Sequence, residues 1–98
     1  MIEREIKEKI RKYKKITEQA LEIVSIKKGL SEKEKRGARE VIEMAKNYFS
    51  DAKHFEEQGG LVLALAAFSY SHAWLDAGVR LKLLDGRNNS RLFTLPKK

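Results

Sequence analysis

Asp51 and His54 stand three residues apart, a spacing that sets a carboxylate and an imidazole within one helical turn of each other. Such a pair suits metal ligation or proton transfer. A helical wheel separates the two: His54 falls on the solvated side and Asp51 at the margin of an apolar stripe. The better use for Asp51 is a structural polar contact with Tyr70 or Trp74 of a neighbouring helix, because a half-buried carboxylate needs donors. Tyr70, Trp74 and Asp76 form a second cluster when read along the chain, yet Tyr70 and Trp74 share one side of a helix and Asp76 lies across it, so packing accounts for them. His72 is a third candidate, flanked on the wheel by large apolar residues. A structural histidine is the favoured reading; were two copies of His72 to meet across a two-fold axis, association would weaken as pH falls through ~6.5. The chain holds no cysteine, and with it go disulfides, thiol nucleophiles and Cys-ligated metals. No phosphate loop, nucleophile elbow, zinc signature or dinucleotide fingerprint is present. The expectation is a protein without catalytic residues, metal or cofactor.

Charge offers a different chemistry. Lys and Arg number 21 against 14 Asp and Glu, a net charge of +7. Arg4, Lys7, Arg11, Lys14 and Lys15 make a basic strip on the outer face of the first helix, and Lys33, Lys35, Arg36 and Arg39 thicken the start of the second. Strips of this kind neutralise phosphates. Glu8, Glu18, Glu22, Glu34 and Glu40 interleave with them, and no exposed aromatic stands among them to stack bases. A solvated surface is therefore the preferred reading and an RNA- or nucleotide-associated role the alternative. Abundant Lys and Glu with scarce Asn, Gln, Met and Cys is a pattern enriched in hyperthermophiles.

The elements that must position these residues are legible from periodicity. Ninety-eight residues fit one domain. No signal-like or membrane-spanning run is found, and the expected location is the cytoplasm, with no membrane partner. Ile2, Ile6, Ile10, Tyr13, Ala20 and Val24 recur at helical steps, and Gly29 supplies a stop, so a first helix is expected over 2–28. Ser31 and Glu34 have capping-box spacing and open a second, expected over 32–58. Its apolar side runs from Ala38 through Ala45, Tyr48, Phe49 and Ala52 to Phe55. Gln58-Gly59-Gly60 ends it. A third is expected over 61–85 before an Asp85-Gly86 stop, giving an all-α, three-helix up-down-up bundle over 1–86 with a short, partly ordered tail over 87–98.

The third helix is apolar on two sides. One arc holds Leu63, Ala66, Ala67, Tyr70, Ala73, Trp74, Ala77, Gly78, Leu81 and Leu84, and is expected to form the core. The other holds Leu61, Leu65, Phe68, His72, Leu75, Val79 and Leu83. Two neighbouring helices approach from adjacent directions and leave the second arc to be covered by something else. Two covers are available: the tail, folding back with Leu92, Phe93 and Leu95, and a second copy, making a homodimer. Three tail residues are few for the task, so the second copy is favoured; both can hold at once, and an unidentified protein partner is a further option. Gly78, mid-helix, costs ~1 kcal/mol relative to Ala and points to close approach of another helix or to a tolerated surface glycine.

The stretch from Tyr48 to Phe55, the Gln58-Gly59-Gly60 turn and the run from Ser69 to Gly78 resemble the archaeal family of short helical proteins catalogued as DUF357, a domain of unknown function. The likeness covers most of the chain. It implies a three-helix bundle and no established activity. The sequence departs from the family pattern at Gly60, where an acidic helix cap is expected, and at His72, so the resemblance lends neither position a shared role. A looser likeness runs to helical domains of the HEPN type, but the arginine and histidine pair of their nuclease members is missing, which leaves a likeness of helix packing.

Overall fold

The computed structural model describes residues 1–96; Lys97 and Lys98, the end of the expected tail, lie outside them. Three helices form an up-down-up bundle: α1 (Ile2–Ile23), α2 (Glu32–Glu57) and α3 (Leu61–Arg80). Two short strands follow the first and last of these, β1 (Ser25–Ile26) and β2 (Leu84–Asp85). The third helix packs along both others, while α1 and α2 scarcely touch. Ile10 of α1 meets Ala64 and Phe68 in the first half of α3, and Ala20 meets Leu75 and Val79 in the second, so these two helices run parallel. The first turn of α1 lies beyond that contact, and Met1 and Ile2 are exposed.

Each helix ends for a local reason. The Ser31 hydroxyl accepts from the Glu34 N–H at 3.1 Å, and the Glu34 carboxylate accepts from the Ser31 N–H at 2.9 Å, the expected capping box. At the far end of α2, Gly59 takes a φ of 79°. Gly60 N–H then reaches the Phe55 carbonyl and Gly59 N–H that of Glu56, the paired bonds of a Schellman stop. Lys82 does the same for α3 at a φ of 64°, with Leu83 N–H on Gly78 and Lys82 N–H on Val79.

The first and third helices stop short of the expected bounds of 28 and 85 because their ends pair with each other. Val24 turns extended, and Ser25 and Ile26 form an antiparallel ladder with Asp85 and Leu84. Lys27 N–H adds a bond to the Leu83 carbonyl at 2.9 Å. A two-residue ladder is below the reach of alternation patterns, which need about four residues to register.

The packing of α2 against α3 rests on small residues at heptad spacing. Ala38, Ala45 and Ala52 recur every seven residues on α2, and Ala64, Ser71 and Gly78 do so on α3; all six are buried. The helices run antiparallel, which sets Ala52 level with Ala64 and Ala38 level with Gly78. At the middle pair, the buried Ser71 hydroxyl donates to the Ala45 carbonyl at 2.6 Å. At Gly78 a Cβ would fall 2.5 Å from Leu84 Cδ1 and 3.0 Å from Val41 Cγ1, so this glycine marks a close approach.

This seam overturns the expected division of α3. The buried residues are Ala64, Ala67, Phe68, Ser71, Leu75, Gly78 and Val79, a face lying between the two arcs drawn from the sequence. Phe68, Leu75 and Val79 are within the core, and Leu61, Leu65, His72 and Leu83 are half-buried against α1, the tail or β1. The arc expected to meet a second copy is thus closed inside the chain. The physical reason is that the helices approach along the narrowest side chains, Ala64, Ser71 and Gly78, rather than along the most apolar arc.

The tail folds with the bundle. Leu92 and Phe93 are each 3% exposed and pack with Ala20, Leu75, Val79 and Leu84. Phe93 lies over Gly86, where a Cβ would sit 3.0 Å from its ring.

Candidate functional site

Removing one arc of α3 from the surface leaves the other on it. Val62 is 69% exposed, Leu63 58%, Tyr70 60% and Leu81 69%. Ala66, Ala73 and Ala77 are exposed between them and Trp74 is half-buried at their margin. Only Ser69 and Arg80 break this face with polar groups, and the Ser69 hydroxyl is spent on the Leu65 carbonyl at 2.9 Å. Tyr70, Ala73, Trp74 and Ala77 line a shallow groove of about 260 Å³. Tyr70 leans on Tyr48 of α2, ring centroids 5.5 Å apart, which extends the patch onto a second helix. Large apolar side chains left in water forgo ~1.5 to 3 kcal/mol each that full burial would return, so a row of them on one face makes a candidate docking surface.

The expected polar contact of Asp51 does not form. Asp51 is exposed, and among the described residues it makes no hydrogen bond to Tyr70 or Trp74. His54 is exposed as well, its ring beside Phe55, so the Asp51 and His54 pair is not assembled into a site. Among the described residues no cluster of three or more His, Asp or Glu is placed to hold a metal.

His72 has partners that were not expected. Its Nδ1 lies 3.2 Å from Asp76 Oδ2, one turn along α3, and its Nε2 lies 2.6 Å from the Leu92 carbonyl oxygen. The other Asp76 oxygen accepts the Thr94 N–H at 2.7 Å. Both ring nitrogens thus face acceptors, which a doubly protonated imidazole satisfies and a neutral one cannot. The hydrogen bond to Asp76 raises the His72 pKa above its ordinary value, against the opposing effect of burial and with help from the Asp76 charge and the Leu92 carbonyl. For Asp76, burial is the largest influence and pushes upward, but the bonds from His72 and Thr94 together carry it below the usual carboxylate value. The pair pins the tail to α3. Its sequence signal was the i,i+4 spacing of His72 and Asp76; the backbone groups of residues 92 and 94 left none.

The basic strip is largely self-neutralised. Arg4 pairs with Glu8 and Lys7 with Glu3, both at 3.5 Å, and Lys14 reaches Glu56 of α2 at 2.9 Å. Lys7, Arg11, Lys14 and Lys15 line an open groove of about 530 Å³ with Glu18, Glu56 and Leu61, which places the basic end of α1 at the N-terminal end of α3. Lys33, Arg36 and Arg39 are exposed, and Lys35 pairs with Glu32 at 3.4 Å. No helix among the described residues is long and apolar enough to cross a membrane.

These features define an all-α bundle of three helices with one uncovered apolar face. Residues 12–84 match the family described as Protein of unknown function (DUF357), and the chain belongs to that family. The match takes in the α2 and α3 seam and the exposed face, and it begins after Arg4, Lys7 and Arg11. Comparison with curated proteins and with solved structures gives no match.

Proposed function

We propose that this protein is a non-catalytic, cytoplasmic interaction module that docks through the exposed face of α3 and assembles with a second copy there. The observation that supports it is the continuous row of Val62, Leu63, Tyr70 and Leu81, each more than half exposed on a helix otherwise packed into a tight core. Tyr70→Asp combined with Leu81→Asp places charge on that row without entering the core. Light scattering should find the wild-type chain dimeric and the double variant monomeric, with helicity unchanged by circular dichroism. A wild-type chain that is monomeric up to millimolar concentration overturns the reading.

The open groove beside Arg11 and Lys15 favours a second reading, an RNA- or nucleotide-associated accessory protein using Arg4, Lys7, Arg11, Lys14 and Lys15. Ion pairs already engage Arg4, Lys7 and Lys14, which leaves few cations to release counterions from phosphates. Reversing Arg4, Lys7 and Arg11 to Glu should abolish a salt-sensitive gel shift if this reading holds.

A further inference from the structure

The segments joined by the β1 and β2 ladder are rich in cations and poor in carboxylates. Residues 24–31 and 81–91 together contain five cations, Lys27, Lys28, Lys82, Arg87 and Arg91, and one carboxylate, Asp85. By contrast, α1 carries seven cations with five carboxylates. Pairing of Ser25 with Asp85 and of Ile26 with Leu84, extended by the bond from Lys27 N–H to the Leu83 carbonyl, sets the two segments side by side. Lys27 and Lys82 then line one open groove of about 400 Å³ with Asp85 and Asn88, over the buried Val79 and Leu84. Lys27, Lys28, Lys82 and Arg87 are exposed, and among the described residues none of the four makes an ion pair. One oxygen of Asp85 already accepts the Arg87 N–H at 2.8 Å, and Arg91 is turned to Gln19.

We infer that this corner is an anion site that takes the phosphate backbone of a nucleic-acid strand. Like charges on neighbouring strands are unfavourable on their own, and a bound anion relieves them. Lys27 and Arg87 lie four ladder positions apart, as much as ~13 Å at the rise of an extended chain, which suits successive phosphates better than a single one. The dipole of α3 accounts for part of the charge at Lys82, but its effect falls off within a turn, and Lys27, Lys28 and Arg87 lie outside the helices.

The surroundings narrow the ligand further. No aromatic is exposed in either segment, so contact is with phosphates and binding is indifferent to base sequence. Leu81 is the one large apolar side chain exposed there among the described residues, too little to anchor the corner in a lipid surface. The corner stands at the opposite end of α3 from Lys7, Arg11, Lys14 and Lys15, and it is independent of the docking reading above.

The test is fluorescence anisotropy of a labelled oligouridylate with the full chain across a salt series. Lys27→Gln, Lys82→Asn and Arg87→Asn together remove three exposed charges, and asparagine suits the positive φ of the last two positions. With helicity unchanged by circular dichroism, this variant should bind about tenfold or more weakly at low salt, with a log–log salt slope shallower by about 2. Lys27→Gln alone should flatten the slope by about 0.7. Reversing Arg4, Lys7 and Arg11 to Glu should leave most of the affinity. A wild-type chain that ignores oligouridylate at low salt, or a corner variant that binds like wild type, overturns the inference. Loss only on reversing the α1 residues overturns it in favour of the second reading above. Tighter binding of inorganic phosphate would make the corner a single-anion site, and tighter binding of vesicles of phosphatidylserine and phosphatidylcholine would make it a lipid contact; either result overturns the inference.

Discussion

Gly78 shows how much one residue decides. On propensity alone, alanine in place of a helical glycine gains at most ~1 kcal/mol, and less in the last turn of α3, where Gly78 stands. Here the added methyl group would fall among Leu84 Cδ1, Leu84 Cγ and Val41 Cγ1, and Leu84 is fully buried with little room to retreat. Overpacking of this kind costs ~1 to 3 kcal/mol. Gly78→Ala should therefore destabilise the fold by about 1 kcal/mol net, read as a lower urea midpoint, whereas a stabilised variant would mean the seam is looser than its distances say. The sequence offered both a close approach and a tolerated surface glycine at this position. What settled it was Leu84, which reaches Gly78 only because Lys82 turns left-handed and swings the chain back over the helix. Thr17 was invisible in the same way. It sits wholly buried on α1 with its hydroxyl unpartnered among the described residues, a cost that periodicity does not register.

At the scale of elements, the helices and their caps were legible and the ends that pair with each other were not. Ser31 with Glu34 and the Gly59-Gly60 stop are local chemistry, fixed by residues a turn apart. The β1 and β2 ladder joins residues 58 and 60 positions apart and depends on α1 and α3 running parallel. The tail latch has the same character, and it makes a pH prediction. The His72 pKa is raised in the folded chain, so its contribution is whole below about 6.5 and is lost as pH rises through the raised value. The Asp76 pKa is lowered, so its contribution is whole above about 4 and is lost as pH falls through the lowered value. The latch is then strongest between about pH 4 and pH 6.5. Arg91 is the tail cation beside it and is turned to Gln19 of α1 at 3.4 Å. Hydrogen-exchange protection of the Thr94 amide should be highest near pH 5 to 6 and fall toward pH 9, and His72→Ala should flatten that profile. Protection that is constant across the range would show the latch to be unprotonated. The sign is opposite to that expected of a histidine pair across a dimer, because the partner of His72 is a carboxylate in its own helix.

For the molecule as a whole, the sequence revealed that α3 has more apolar surface than its own chain can cover, and it misplaced that surface. Periodicity ranks faces by hydrophobicity, and both arcs of α3 score well on it. The choice between them was made by side-chain width, since α2 approaches closest along Ala64, Ser71 and Gly78, and that approach turns Tyr70 and Leu81 outward. On the proposed docking reading, the apolar and the charged surfaces of the chain are separated. The exposed face of α3 carries one cation at its rim, Arg80, while the net charge of +7 lies elsewhere, +3 of it on α1 and the start of α2 and +4 on residues 87–98. Dimer formation should accordingly respond weakly to salt, its dissociation constant changing by less than about threefold between 50 mM and 1 M, because little charge is brought together or neutralised. Burial of the apolar row should also give a negative heat-capacity change on association. Binding of a polyanion to the basic strip would behave in the opposite manner, losing affinity steeply over the same range. Sedimentation equilibrium across a salt series, repeated with a short RNA present, reads both slopes on one sample. A dimer that dissociates as salt rises would place the contact on charged surfaces and remove the exposed face of α3 from its role.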